Sequence, residues 1–196
     1  MKRKQTTLIA FLFLLSSILL NSCNSKCTED GSLDEVKKFV PEDKYFKSSL
    51  KSLHFVMETS PIDEVDKMFS HLINTYKLPV KPDSLPNGTY IGETPYDAFD
   101  YKHVVEITIK NGQIVSINYN EIHKDGTDKK LDKKYNKEMS VTGTSPSIAY
   151  PNMEKELIEK QNLLDVDATS GATYSLYRFR YAVTLALMKA KLENSN

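Results

Sequence analysis

A chain of 196 residues has room for one domain of ordinary size plus an extension. Its 26 Lys and Arg balance 26 Asp and Glu, and 40% of its residues are hydrophobic, a globular composition that excludes collagen, coiled coil and multi-span membrane protein. Zero net charge argues against a nucleic-acid partner, because counterion release needs a clustered basic surface, and two Cys cannot build a disulfide scaffold.

The N-terminus carries Lys2, Arg3 and Lys4, followed by an apolar run from Leu8 to Leu20 broken only by Ser16 and Ser17. That run rises only ~20 Å as a helix, short of a ~30 Å hydrocarbon core, so residues 1–22 read as a signal peptide. It ends in Leu20-Asn21-Ser22-Cys23, which resembles the bacterial lipobox. The resemblance implies a lipidated Cys23 as the mature N-terminus. The protein is then expected in a bacterial cell envelope, lipid-anchored to a membrane and facing the periplasm or the exterior. Cys27 reads as an incidental thiol.

Residues 23–32 are expected to be a tether and residues 33–86 a helical region with a linker. Ser60-Pro61-Ile62-Asp63 predicts a helix start, with Ser60 as N-cap and Pro61 at the first helical position. Ile62, Val65, Met68, Phe69, Leu72, Ile73 and Tyr76 then form one face. His54 and His71 have no second ligand at metal spacing, so no metal site is expected. Pro79, Pro82 and Pro86 punctuate the linker, and a second unit is expected over residues 87–192.

Gly88–Gly92 predicts a short strand. Val105, Ile107 and Ile109 alternate on one run, and Val115, Ile117 and Tyr119 on the next. Between them Asn111-Gly112 predicts a tight antiparallel hairpin, because both turn positions need positive φ. The Lys-rich stretch from Lys124 to Lys137 reads as a solvated loop or frayed helix, with a patch for anionic partners as the alternative. A short helix is expected over Met153–Asn162, after Pro151. A C-terminal helix is expected over Tyr174–Leu192, with Tyr177, Tyr181, Leu185, Met188 and Leu192 on one stripe. Strands followed by helices without βαβ alternation predict an α+β fold: an antiparallel sheet with a central hairpin, packed against helices, plus a helical N-terminal extension.

The chemistry concentrates in Asp165–Ser175, a run of small hydroxyl residues opening into the last helix. Backbone N–H groups at a helix start suit an anion, and Gly171 and Ala172 allow close approach. Physics alone leaves two readings there, an anion site and a well-capped helix.

Asp167-Ala168-Thr169-Ser170-Gly171-Ala172-Thr173 resembles the Asp-x-x-Ser-Gly-Ala-Thr flavinylation signature of FMN-binding domains. That family includes covalent-FMN subunits of sodium-translocating NADH:quinone reductase and Rnf complexes, and small membrane-anchored lipoproteins. Asn87-Gly88-Thr89-Tyr90-Ile91-Gly92 is similar to the family's opening strand, and Val104–Asn120 to its central hairpin. Glu159-Lys160-Gln161 is similar to the helix before the motif. The resemblance spans residues 87–190.

It implies an electron carrier rather than a free-standing enzyme, with no catalytic residues of its own. A flavin transferase would join FMN through its phosphate to the Thr173 hydroxyl. A membrane electron donor and an acceptor would be its redox partners. The cofactor-binding set it implies is Asp167, Thr169, Ser170, Gly171, Ala172, Thr173, Tyr174, Ser175 and Tyr90. Tyr119 and Tyr177 join Tyr90 and Tyr174 as candidate ring walls, and Arg178 and Arg180 as candidate partners of the phosphate. Asp167 reads as a helix-cap or turn residue or as a local base. Two other classes stay open: a lipoprotein binding FMN or another phosphate ligand non-covalently, and a ligand-free structural surface lipoprotein.

Overall fold

The structure, a computed structural model, describes residues 61–194. The signal peptide, Cys23, Cys27, the tether, His54 and Ser60 lie outside the described residues. In chain order the elements are α1 (Ile62–Tyr76), β1 (Gly88–Glu93), β2 (Tyr101–Lys110), β3 (Gln113–His123), α2 (Lys133–Met139), α3 (Pro146–Lys160) and α4 (Thr173–Glu193). Short 3₁₀ turns follow α2 and α3. The strands form one antiparallel sheet in the order β1-β2-β3, packed against helices, so the fold is α+β.

The hairpin forms where Asn111-Gly112 predicts it, with φ of 52° and 70° at the two turn positions. Asn87 Oδ1 accepts a hydrogen bond from the Asn111 backbone N–H at 2.6 Å, tying the entry of β1 to this turn. Val105, Ile107, Ile109, Ile117 and Tyr119 face the core as expected. Val115 does not, and is 45% exposed. Thr108 pairs with Ser116 while Ile109 pairs with Ile114, so a β-bulge inserts an extra residue at Val115. The bulge reverses the alternation, and Ile114 enters the core instead.

α4 lies across β1 and β2, α3 lies against β3, and α1 packs on α4. α4 is buried well beyond the expected stripe: Phe179, Ala182, Val183, Ala186 and Leu187 are buried as well as Tyr177, Tyr181, Leu185 and Met188. Helix α1 contributes Val65, Phe69, Leu72 and Ile73 to the same core as the sheet. The Leu163 N–H donates to the Val80 carbonyl at 2.9 Å, joining the linker to the second half. Pro61 is the N-cap of α1 rather than its first helical residue, and its carbonyl accepts from Glu64 and Val65.

The helix expected at Met153–Asn162 begins earlier, at Pro146, and contains Pro151. Pro151 cannot donate to the Ser147 carbonyl one turn back, and both residues lie on the exposed face of the helix. Pro146, Ala149, Tyr150, Met153 and Leu157 give the helix its buried face. No helix among the described residues is long and apolar enough to cross a membrane.

Candidate functional site

The signature segment is the turn that feeds α4. The Thr169 carbonyl accepts from the Ala172 N–H at 2.8 Å, and Gly171 takes φ of 81°, a conformation that favours glycine. Ala172 is the N-cap, so no side chain caps α4. Thr173, half-buried, is the first helical residue. The turn is held from both sides. Arg180 donates to the carbonyls of Leu164 and Val166 at 3.1 and 2.9 Å, and Lys160 pairs with Asp167 at 2.9 Å. The Asp167 N–H donates to Glu156 at 2.8 Å.

A small cleft, open to solvent, lies beside this turn. Gly171, Ala172 and Ser175 form one wall, and Pro146, Ala149 and Tyr150 of α3 another. Tyr135 and Met139 of α2 close a third side, and the cations Lys129 and Arg178 line the cleft with Thr144 and Ser145. Thr144 is buried and its Oγ1 has no hydrogen-bond partner. A Cβ on Gly171 would meet Thr144 Cγ2 at 3.3 Å, so the backbone comes close because residue 171 has no side chain.

Glu121 on β3, fully buried, collects the cations of this wall. Lys129 Nζ lies 2.6 Å from Glu121 Oε2 and 4.4 Å over the Tyr101 ring. Arg178 Nη1 stands 3.9 Å from the same carboxylate, and the Tyr119 hydroxyl donates to it at 3.3 Å. The Tyr150 hydroxyl is held near both Glu121 and Ser175. Burial pushes the Glu121 pKa up, but His103, Lys129 and Arg178 outweigh it and hold the carboxyl at about 2. Burial and then the Glu121 charge push the Tyr150 hydroxyl well above the ordinary tyrosine range. The Lys-rich stretch is therefore not simply solvated, because the half-buried Lys129 pairs with a core carboxylate.

The sequence-predicted residues divide by position. Gly171, Ala172 and Ser175 are on the cleft wall, and Arg178 joins them. Thr173 sits between them in the chain but is not itself on the wall, and Ser170 and Tyr174 are exposed beside it. Tyr90 is not brought to this site. Its hydroxyl interacts with Glu193 at the C-terminal end of α4, a 21-residue helix that separates it from Thr173 by about 30 Å. Tyr177 turns to α1 and donates to Asp66 at 3.0 Å.

Tyr119 is fully buried between Tyr150 and Phe179, so it is core rather than ring wall. Arg180 is committed to backbone carbonyls, and Asp167 to Lys160 rather than to a cap or turn. The aromatic residues that do line the cleft, Tyr135 and Tyr150, carry no local sequence signal.

No family model matches the chain. The CPE2226 protein from Clostridium perfringens, known from a crystal structure, is 35% identical, with a TM-score of 0.53 over 57% of this chain and 93% of that one. The 15 kDa lipoprotein of Treponema pallidum (strain Nichols) is 35% identical over 112 residues, which are 55% of this chain and 78% of that protein. With that identity over more than three quarters of the relative's length, the chain belongs to the family of the 15 kDa lipoprotein.

Proposed function

We propose that this chain is a lipid-anchored envelope flavoprotein. FMN is joined through its phosphate to the Thr173 hydroxyl, its ring lies in the cleft beside Gly171, and the protein acts in electron transfer. The lipoprotein relative and the Leu20–Cys23 segment support the anchor. The observation that carries the flavin reading is the cleft itself, which opens on the residues that resemble the flavinylation signature.

The residues present fit such a group. Tyr135 and Met139, half-buried at the cleft, offer a ring apolar contact, while Lys129, Arg178 and the uncapped start of α4 favour negative charge. Thr144 offers an unmatched buried hydroxyl. FMN supplies the redox chemistry when bound. The chain's part is to hold the ring, shield it from water on the α3 side and set the charge around it through Lys129, Arg178 and Glu121. Thr173, half-buried at the edge of the turn, is accessible to a transferase that brings its own catalytic groups.

The test is in-gel fluorescence after denaturation, on protein made together with a flavin transferase. The expected result is a flavin that survives denaturation in wild type and is absent in Thr173→Ala. Flavin lost on denaturation identifies a non-covalent site, and a colourless protein rejects the flavin reading.

A further inference from the structure

Behind the cleft stand three buried ionisable side chains in a row, Asp97, His103 and Glu121, exposed to only 2%, 2% and 0%. Packing alone does not require them, since apolar residues of similar volume make an equally stable core. Asp97 is fixed in place: its Oδ1 accepts from the Phe99 and Tyr101 N–H groups at 2.9 and 2.8 Å. Its Oδ2 faces His103 Nε2 at 3.6 Å. The other ring nitrogen, Nδ1, faces Glu121 Oε1 at 3.9 Å. On its far side Glu121 meets Lys129 and Arg178, the two cations of the cleft wall.

We propose that His103 is a proton-holding positioning residue of the cleft, and that proton uptake at His103 is linked to entry of an anionic group beside Lys129 and Arg178. This rests on the reading of the cleft as the site of a phosphate-bearing flavin.

The groups facing the imidazole set the sign of the linkage. Asp97 from the β1–β2 connection and Glu121 from β3 are negative; Lys129 before α2 and Arg178 from α4 are positive and stand beyond Glu121. The hydroxyls of Tyr119 and Tyr150 complete the surroundings of Glu121. With a neutral imidazole, Glu121 draws its compensation from Lys129 and Arg178. With an imidazolium, His103 supplies part of that compensation and leaves the two cations more available to a ligand. Imidazole is the group in this row whose ordinary titration falls near neutral pH. Negative charge arriving at Lys129 and Arg178 favours the imidazolium, and by reciprocity protonation tightens anion binding by the same factor. The proton comes from solvent, and no covalent bond changes.

The test uses the full chain prepared without flavin, with sulfate as the probe because it keeps its charge across the neutral range. The His103 imidazole titration is followed by NMR, with and without sulfate. The expected result is a midpoint raised by about one pH unit with sulfate bound, equivalent to roughly tenfold tighter sulfate binding once His103 is protonated. In His103→Asn the sulfate affinity should lose its pH dependence.

An unmoved His103 midpoint, with sulfate shifting the Arg178 side-chain signals, overturns the linkage and leaves the flavin reading standing. If sulfate shifts neither residue, the linkage is also overturned. Denaturing-gel fluorescence of protein made together with a flavin transferase then decides the flavin reading separately.

Discussion

Gly92 on β1 passes beneath Ala182 on α4 so closely that a Cβ on the glycine would lie 1.9 Å from the Ala182 carbonyl oxygen. The atom in the way is helix backbone, which cannot rotate aside as a side chain can. This contact lets the long helix lie directly on the sheet, and the helix in turn places Thr173, Ser175 and Arg178 at the cleft. Gly92→Ala should therefore cost about 3 kcal/mol or more and lower the denaturant midpoint sharply. A midpoint equal to wild type would show that the helix does not rest on this strand.

Glu121 gives stability a specific acid dependence. Its carboxyl is held at about 2 in the folded chain, against an ordinary value of 4.5. A depressed carboxyl stabilises the fold above its ordinary pKa, and that contribution disappears as pH falls from about 4.5 towards 2. The loss over that window should be about 3 kcal/mol, read as the pH dependence of urea unfolding. Glu121→Gln should flatten the dependence. It should also cost about 3–5 kcal/mol near neutral pH, because Lys129 and Arg178 lose their buried counter-charge.

The bulge separates two neighbouring residues. Ile114, 1% exposed, should cost about 2–5 kcal/mol as Ile114→Ala. Val115, 45% exposed, should tolerate Val115→Thr within about 0.5 kcal/mol. Equal effects at the two positions, measured by thermal unfolding, would contradict the register.

Gly171 combines a φ of 81° with the close approach of Thr144. Gly171→Ala should cost about 1–2 kcal/mol from the left-handed backbone alone. It should also reduce flavin incorporation on the denaturing gel, since the added methyl group sits on the cleft wall. Thr173→Ala, by contrast, keeps a good helix former at the first turn and should change stability by less than about 1 kcal/mol while abolishing the label.

Cys23 is the expected point of lipid attachment. Cys23→Ser should move the protein out of the membrane fraction or leave an unprocessed precursor on a gel. Wild-type partitioning and mobility would reject the lipid anchor at this residue.

Much of the local architecture is legible in the residues themselves. Asn111-Gly112 has a turn geometry almost forced by its residue types, and the alternating Val and Ile on either side leave few ways to bury them. The face of α1 follows from helical spacing in the same way. Gly171 is the residue of the signature turn that permits close backbone approach, and its positive φ agrees. The position of the bulge is not legible, because Val115 and Ile114 are equally apolar. Only the pairing partner across the sheet decides which of them turns inward.

The cleft belongs to the second class. The sequence alone determined the α+β class, the hairpin, the helix after the signature and the small residues of the turn, since each rests on local backbone preference or short-range periodicity. It could not determine that Lys129, Tyr135, Tyr150 and Arg178 share one cleft, or that Tyr90 lies at the far end of α4. Nor could it show that one lysine of a polar run pairs with the buried Glu121. Those relationships depend on which faces of distant elements the core brings together. That choice is made by non-local burial and charge compensation, which leave no pattern within a short window of sequence.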